Sequence, residues 1–332
     1  YLYTYFFPEP DGTVSLKVVT KLDQKLREEE FRGRPGENDL DRFCEYHLCR
    51  MLYRQLEDAT GISLAWGMLT GVRPVRLIYR YRERGMDDGQ IRKHLHRDYF
   101  VTDEKIDLLL RTADKEKAIL DLSRPESFSL YISIPFCPSR CNYCSFVSHS
   151  IERAKKLIPE YVALLIREIE YVAPIVQMLG LRLETVYFGG GTPTAIPSDL
   201  LEQIICTIER HFNLSHLREY TVEAGRPDTI TLQNLEMLKR KGVTRISINP
   251  QTMNDTVLEQ IGRRHTAAQT VEAFQMARQA GHRNINMDLI AGLTGDSLES
   301  FCHTVDQVIA MAPENITLHT LSVKRSSRLG QH

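Results

Sequence analysis

Three cysteines lie within eight residues, at Cys137, Cys141 and Cys144, in the spacing C-x3-C-x2-C. Thiolates bind zinc and iron–sulfur clusters, and a cubane cluster normally takes four cysteine ligands. With three cysteines one iron has no protein ligand, and an open coordination position is typical of a reactive metal site. A structural zinc is the alternative, with His149 as the nearest candidate for a fourth ligand. The spacing therefore predicts a metal centre and leaves both kinds open.

Two further stretches carry residues suited to binding. The sequence FGGGTPT at 188–194 can bring bare backbone close to a ligand because glycine has no Cβ, although a tight strand-to-helix turn explains it equally well. Glu223 ends an apolar run, where a carboxylate needs a partner to offset its desolvation. A ligand amine or hydroxyl would be such a partner, and an ion pair with Arg226 is the alternative.

Three more polar residues are candidates on weaker grounds. Asp288, in NMDLIAG, is likewise a carboxylate in an apolar run that needs a partner to offset its desolvation. As for Glu223, that partner would be either a ligand amine or hydroxyl or an ion pair within the protein. Gln251 and Arg263 carry groups able to bond a carboxylate or an adenine edge. Taken singly, each of these two is better explained as structural.

Composition limits the classes of function. The 332 residues are 42% hydrophobic and 26% charged, which is ordinary for a globular protein with a sizeable core. The net charge of −1 gives no electrostatic footprint for nucleic acid or an anionic membrane. We find no apolar run of the roughly 20 residues that a membrane span needs, and no secretory signal. These features predict a cytoplasmic protein with no nucleic-acid or membrane partner.

The cysteine count also argues against a disulfide framework, because seven is odd and three are bunched. The other four, Cys44, Cys49, Cys206 and Cys302, lie in helical patterns. We predict that all four are structural and that Cys206 and Cys302 lie in the core. The first residue is Tyr1, so we expect the chain to be a fragment.

The elements that must position these residues fall into two regions. Residues 1 to about 20 alternate like a hairpin, and from about 22 to 120 the pattern is helical and charged, so 1–125 is predicted to form an α+β domain. In 126–332, β-branched or aromatic runs alternate with amphipathic helices. The predicted strands are 129–134, 185–190, 220–224, 244–249, 284–290 and 315–321.

Six successive strand–helix units require parallel strands joined by right-handed crossovers. A closed barrel has eight such units, so we predict an α/β fold with an open, partial (β/α)6 barrel and its chemistry at the carboxyl ends of the strands. The candidate residues fall there. Cys137 follows the first strand, the glycines end the second, Glu223 ends the third, Gln251 follows the fourth, and Asp288 is near the end of the fifth.

Several stretches together resemble a known family. YISIPFCPSRCNYCSF, YFGGGTPT, VEAGRPD, ISINPQ, GRRHT and MDLIAGL, in this order, are similar to the motifs of radical S-adenosylmethionine (SAM) enzymes, in particular the oxygen-independent coproporphyrinogen III oxidase family. WGMLTGVRPVRL narrows the resemblance to the HemZ-type branch of coproporphyrinogen dehydrogenases. The resemblance covers about 128–325 through many motifs and the first 125 residues through this one.

The resemblance implies a [4Fe-4S] cluster on Cys137, Cys141 and Cys144, with SAM on the fourth iron. Reductive cleavage of SAM would give a 5′-deoxyadenosyl radical that abstracts hydrogen from a propionate, which loses CO2 and becomes a vinyl group. Two rounds would convert coproporphyrinogen III into protoporphyrinogen IX in heme biosynthesis. The implied partners are this porphyrinogen and an electron donor such as a flavodoxin or ferredoxin.

The resemblance also assigns binding positions. Tyr131, Gly190 and Glu223 match contacts to the cluster-bound SAM, and we predict that Tyr131 and Glu223 are catalytic. The positions that match a second SAM are Gly191, Thr192, Gln251, Arg263 and Asp288.

Two features depart from the family. Phe146 stands where the best-known members have a further cysteine, two positions after Cys144. The family continues into a carboxyl-terminal domain beyond the sixth strand, which we expect to be missing from this chain. Two other functions use the same core and stay open: a heme-binding chaperone and a radical SAM methyltransferase acting on heme.

Overall fold

Residues 1–22, 24–36, 39–71 and 73–331 are described by a computed structural model of the chain. Val72, in the motif WGMLTGVRPVRL, and His332, at the end of the predicted second domain, lie outside the described residues. The chain divides between Arg124 and Pro125 into two compact units, and each has its own architecture.

The N-terminal unit begins with a three-stranded antiparallel sheet in the order β1–β2–β3. Its strands are β1 (Leu2–Pro8), β2 (Val14–Leu22) and β3 (Lys25–Gly33). The first two form the predicted hairpin, but β3 shows that the helical pattern predicted from about residue 22 is wrong there. Lys17 of β2 pairs with Glu28 at 2.6 Å and with Glu30 at 3.3 Å. These cross-strand ion pairs and the ladder with β2 override the helical propensity of LREEE.

The described part of this unit continues with helices in two groups. The helices are α1 (Leu40–Thr60), α2 (Val75–Glu83), α3 (Asp88–Tyr99) and α4 (Asp103–Leu120). α1 packs against the sheet, with Met51 in one buried cluster with Leu16 and Val18 of β2. α2, α3 and α4 surround a separate core that contains Ile78 and Ile91.

The second unit alternates strands and helices. Its strands are β4 (Ser127–Ile134), β5 (Phe136–Cys137), β6 (His149–Ser150), β7 (Arg182–Gly190), β8 (Glu219–Glu223), β9 (Arg245–Ser247), β10 (Ile285–Ala291) and β11 (Asn315–Thr320). Its helices are α5 (Ile151–Ala154), α6 (Ile158–Met178), α7 (Ser198–His211), α8 (Leu232–Arg240), α9 (Asp255–Gln260), α10 (Ala267–Gln279), α11 (Leu298–Met311) and α12 (Arg328–Gln331). Short 3-10 turns lie at Lys155–Leu157, Pro193–Ala195 and Pro227–Thr229.

All six predicted strands are present as one parallel sheet, in the spatial order β4–β7–β8–β9–β10–β11. The spatial order follows the chain order because each crossover returns the chain to the same edge of the growing sheet. β4 and β11 form the two edges, so the predicted fold class, a partial (β/α)6 barrel with a smaller N-terminal α+β region, is confirmed.

The core of the second unit lies between this sheet and its helices. Phe188 of β7 and Tyr220 of β8 are almost fully buried in one cluster with Ile204 of α7. Each such side chain contributes on the order of 1.5–3 kcal/mol by burial. Cys302 is exposed because α11 buries Thr304 and Val308 instead, so its predicted place in the core is wrong. Cys206 is only half-buried. Among the described helices, none has both the length and the hydropathy of a membrane-spanning segment.

Candidate active site

The carboxyl ends of the parallel strands meet at a cavity of about 340 Å³. The predicted residues that line it are Cys137, Cys141, Cys144, Gly190, Gly191, Thr192, Glu223, Gln251, Arg263 and Asp288. Phe146 lines it as well. Tyr131 is the predicted residue outside this lining. The Tyr131 ring stacks on the Tyr187 ring, with 5.8 Å between the ring centroids. Burial raises the pKa of the Tyr131 hydroxyl, and the negative charge of Glu223 raises it further.

The cysteine loop is held by hydrogen bonds to a distant segment. β5 and β6 pair with each other and close the base of the loop. The Asn142 backbone N–H donates to the Ile261 carbonyl at 2.9 Å, and its side chain donates to the Gln260 carbonyl at 2.7 Å. The Ser139 hydroxyl donates to the Gly262 carbonyl at 2.7 Å. These bonds fix the backbone that carries the three thiols against the end of α9.

Two buried arginines surround the central cysteine. Arg226 Nη1 lies 3.0 Å from Cys141 Sγ. Burial alone would raise the pKa of the Cys141 thiol, but the charges of Arg263 and Arg226, with a hydrogen bond to Tyr143, hold the pKa below its ordinary value. Burial raises the pKa of the Cys137 and Cys144 thiols. Because the thiolate is the form that binds metal, a lowered pKa makes Cys141 suited to be a metal ligand.

The donor set fits an iron–sulfur cluster. Within the described residues, no three His, Cys, Asp or Glu side chains are grouped closely enough to hold one metal ion. In a cubane cluster each thiolate binds a different iron, so the ligands stand further apart around a larger body. Three thiols on the wall of one cavity, with cationic side chains beside them, match this arrangement.

The glycines of the Gly-rich loop pack closely against neighbouring backbone and also line the cavity. A Cβ on Gly191 would lie 2.7 Å from the Phe136 carbonyl oxygen and 2.9 Å from that of Ile134. The Gly191 N–H donates to the Ile134 carbonyl at 2.8 Å. Gly190 has a φ of +102°, which favours glycine. The glycines therefore let the end of β7 pack against the strand that leads into the cysteine loop, and they also line the cavity.

Glu223 lines the cavity as a half-buried acid. The Tyr187 hydroxyl donates to its Oε1. Burial raises the pKa of Glu223 despite this hydrogen bond, and the Asp288 carboxylate adds to the rise. The alternative ion pair between Glu223 and Arg226 is wrong, because Arg226 bonds Cys141 and Asp228 instead. An acid in this setting is suited to receive a ligand amine or hydroxyl, which would stabilise its ionised form.

Several buried polar atoms around the cavity lack a protein partner among the described residues. They are Asn249 Oδ1, Gln251 Oε1 and Arg263 Nε. Gln251 also has a φ of +69°, a left-handed conformation that is strained for a residue other than glycine. Buried polar groups normally have hydrogen-bond partners. Strain and unpartnered atoms at one place therefore indicate a ligand site.

Some residues of the site were not predicted from sequence. Tyr187, Asn249 and His319 are three of them, and the last two line the cavity. Tyr187 lies inside YFGGGTPT and Asn249 inside ISINPQ, so strand alternation would have marked both as pointing to the same face as other site residues. His319 lies in the last strand and had no such signal.

Comparison with known proteins shows which family the chain belongs to. Residues 131–308 match the model of the radical SAM superfamily. The chain is 40% identical over 277 residues to a Bacillus subtilis protein described as oxygen-independent coproporphyrinogen-III oxidase-like protein HemZ, covering 82% of this chain and 55% of the relative. It is 35% identical over 197 residues to the heme chaperone HemW of Bacillus subtilis, covering 59% of this chain and 51% of the relative.

One solved structure supports the fold. The Escherichia coli coproporphyrinogen III oxidase HemN, described as a radical SAM enzyme, superposes with a TM-score of 0.56 at 26% identity, covering 66% of this chain and 49% of that one. The chain thus spans about half the length of the curated relatives it matches. The resemblance recognised in the sequence is confirmed. The chain belongs to the radical SAM superfamily, whose members bind a [4Fe-4S] cluster and S-adenosylmethionine.

Proposed function

We propose that the chain catalyses the oxygen-independent conversion of coproporphyrinogen III to protoporphyrinogen IX. The observation that carries this proposal is how much of the chain each relative aligns with. The alignment with the oxidase-like relative covers 82% of the chain and so must extend into the N-terminal unit, whereas the alignment with the heme chaperone covers 59%, less than the second unit alone. The whole shared length therefore favours the oxidase-like branch.

In this proposal the cysteine loop holds the cluster. Cys137, Cys141 and Cys144 are its three protein ligands, and Arg226 and Arg263 offset the negative charge that collects around Cys141. When bound, the cluster and SAM supply an organic radical able to abstract hydrogen. The chain's part is to orient both groups and to keep water from the reacting carbon.

The cavity residues are proposed to orient SAM. Glu223 accepts a hydrogen bond from the amino or hydroxyl groups of the first SAM, with Tyr131 and Gly190 beside it. The unpartnered oxygen of Gln251 accepts a further hydrogen bond from a second SAM. The other proposed contacts of this second molecule are Gly191, Thr192, Arg263 and Asp288.

The proposed reaction is an oxidative decarboxylation of two propionate side chains. Each round would move one hydrogen atom from the β-carbon of a propionate side chain to the adenosyl group that SAM supplies, which leaves as 5′-deoxyadenosine. The propionate would then lose CO2 and one electron to become a vinyl group, and the electron would pass to a one-electron acceptor such as an oxidised iron–sulfur or flavin carrier. Two rounds on the porphyrinogen give the product. A flavodoxin or ferredoxin is proposed to reduce the cluster.

The test is anaerobic reconstitution of the chain with iron and sulfide, followed by incubation with reductant, SAM and coproporphyrinogen III. Vinyl product and CO2 together with methionine and 5′-deoxyadenosine are expected. Cys141→Ala should abolish both the visible absorbance of the cluster and the product, whereas Cys302→Ala, which removes an exposed thiol, should preserve both. Cleavage of SAM without vinyl product in a fully reconstituted preparation contradicts the oxidase activity.

A heme chaperone is the second candidate, because the heme chaperone HemW of Bacillus subtilis is 35% identical over 197 residues. In the same preparation this function predicts stoichiometric heme binding and no decarboxylation. Heme titration followed by absorbance separates the two candidates.

A further inference from the structure

A second cavity lies entirely within the N-terminal unit, far along the chain from the cysteine loop. Its volume is about 660 Å³, within the range of small-molecule sites. It lies between α2, α4 and the segment that precedes α2. Trp66, Arg73 and Arg76 of the motif WGMLTGVRPVRL line it. None of the roles proposed for the barrel residues uses this motif, so its role needs a separate explanation.

The walls of this cavity are apolar and aromatic. Leu109 is 2% exposed and belongs to the core of α2–α4, whereas Leu108 and Leu120 are 42% and 57% exposed. The rings of Trp66 and Tyr79 form further parts of the lining. Large apolar side chains left open around a concave surface favour a ligand with an apolar body, and flat rings favour an aromatic one.

The mouth of the cavity is positively charged. Arg73 and Arg76 are exposed, and among the described residues neither guanidinium has a hydrogen bond or ion pair. Arg82, which lies on α2 with Arg76, differs because it forms ion pairs with Asp88 and Asp114. The Lys105 ammonium lies 5.4 Å from the Trp66 ring centroid and adds to the positive charge.

One carboxylate, Glu116, also lines the cavity. The Tyr79 hydroxyl donates to Glu116 Oε2 at 3.1 Å. The two arginines outnumber this single acid, so the lining keeps a net positive charge. Guanidinium groups bind carboxylates with two parallel hydrogen bonds, and an exposed pair of them is suited to a ligand with acidic groups.

We propose that this cavity binds a flat aromatic carboxylate, with its ring against Trp66 and its acidic groups on Arg73 and Arg76. The site requires neither the cluster nor SAM, and it is independent of the reaction proposed for the barrel. It assigns a binding function to the N-terminal motif.

The chain offers a direct readout, because Trp66 is its one tryptophan. Isophthalate, a benzene ring with two carboxylates, is titrated into the full chain while tryptophan emission is followed with excitation beyond the ligand's own absorbance. Its neutral analogue isophthalamide is the matched ligand. We expect a saturable change in Trp66 emission with isophthalate and none with isophthalamide.

The matched variants are a double variant, Arg73→Gln with Arg76→Gln, and the control Arg80→Gln, an exposed arginine of α2 outside the cavity lining. The double variant should weaken isophthalate binding about tenfold, as the loss of two partly exposed ion pairs implies. The control should bind like the wild type. An unchanged emission maximum without ligand shows that the local fold is kept. Equal binding by the double variant, or no saturable change in the wild type, overturns the proposal.

Discussion

Replacing Arg226 with glutamine tests whether the guanidinium beside Cys141 sets the reduction potential of the bound cluster. The residue is 3% exposed, with Nη1 at 3.0 Å from Cys141 Sγ, and its Nε lies 3.4 Å from Asp228 Oδ1. A reduced cluster carries one more electron, and a positive charge next to a ligand stabilises it. Removing the charge should therefore lower the potential.

The size of the shift follows from the contact. Unit charges 3.0 Å apart interact by about 5.5 kcal/mol at an effective dielectric constant of about 20. An added electron spreads over the four corners of the cluster, so roughly a quarter of this energy, about 1.4 kcal/mol, acts through Cys141. For one electron this equals about 60 mV. Arg226→Lys keeps the charge and should lower the potential by less.

The measurement is an anaerobic redox titration of the reconstituted protein, followed by electron paramagnetic resonance of the reduced cluster. Arg240→Gln is the matched control, because it removes one exposed arginine from α8 that pairs with Glu202. Iron and sulfide are quantified in each preparation so that cluster loss is not mistaken for a shift. A fully loaded Arg226→Gln protein with the wild-type potential refutes the electrostatic argument.

Three further changes test other contacts. Gly191→Ala should cost about 1–3 kcal/mol in urea unfolding, because its Cβ would lie 2.7 Å from the Phe136 carbonyl oxygen, whereas Gly36→Ala, with no atom within 4 Å of the new Cβ, should cost little. Glu223→Gln should raise the melting temperature at neutral pH but weaken SAM binding, because burial raises the pKa of this acid and its ionised form destabilises the fold. His265→Gln should flatten the acid loss of stability, because burial, with the charges of Arg263 and Arg226, lowers the pKa of His265 from 6.5 to about 3.

His265 and Glu223 change the folding stability in opposite directions with pH, because the pKa of His265 is lowered in the folded protein and that of Glu223 is raised. The unfolded chain binds a proton at His265 below pH 6.5 while the folded protein does not until about pH 3, so folding stability falls as the pH drops through this window, by up to about 1.4 kcal/mol per pH unit. Glu223 holds its proton more tightly when folded, so its effect appears as the pH rises past the ordinary carboxyl range. Melting curves across pH 3–8 measure both. A variant without His265 that keeps the wild-type slope contradicts the first, and a lower melting temperature for Glu223→Gln at neutral pH contradicts the second.

The sequence predicted the fold and the grouping of the candidate residues at one edge of the sheet, because both depend on local patterns. Alternation of strands and helices fixes a parallel sheet, and a parallel sheet brings all its carboxyl ends to one edge. Glu223 and Asp288, 65 positions apart in the chain, therefore line one cavity.

What the sequence did not predict depends on side-chain contacts between distant segments. Proximity in sequence suggests Arg226 as a partner for Glu223, three positions away, but the Arg226 guanidinium contacts Cys141, 85 positions away. Tyr187 takes the place at Glu223 instead. In β3, the ion pairs of Lys17 outweigh a helical local pattern. In each case the local preference is weak, and a tertiary contact decides the outcome.

The anchoring of the cysteine loop has a consequence for how the protein is made. Asn142 and Ser139 are tied to residues 118 and 123 positions later in the chain. At about 5–20 residues per second, a ribosome needs roughly 6–25 s to produce that stretch after the cysteines have emerged. During this interval the thiols are present without the backbone that arranges them. On the proposed function, a cluster delivered to an ordered loop is therefore expected to arrive only after α9 has been synthesised.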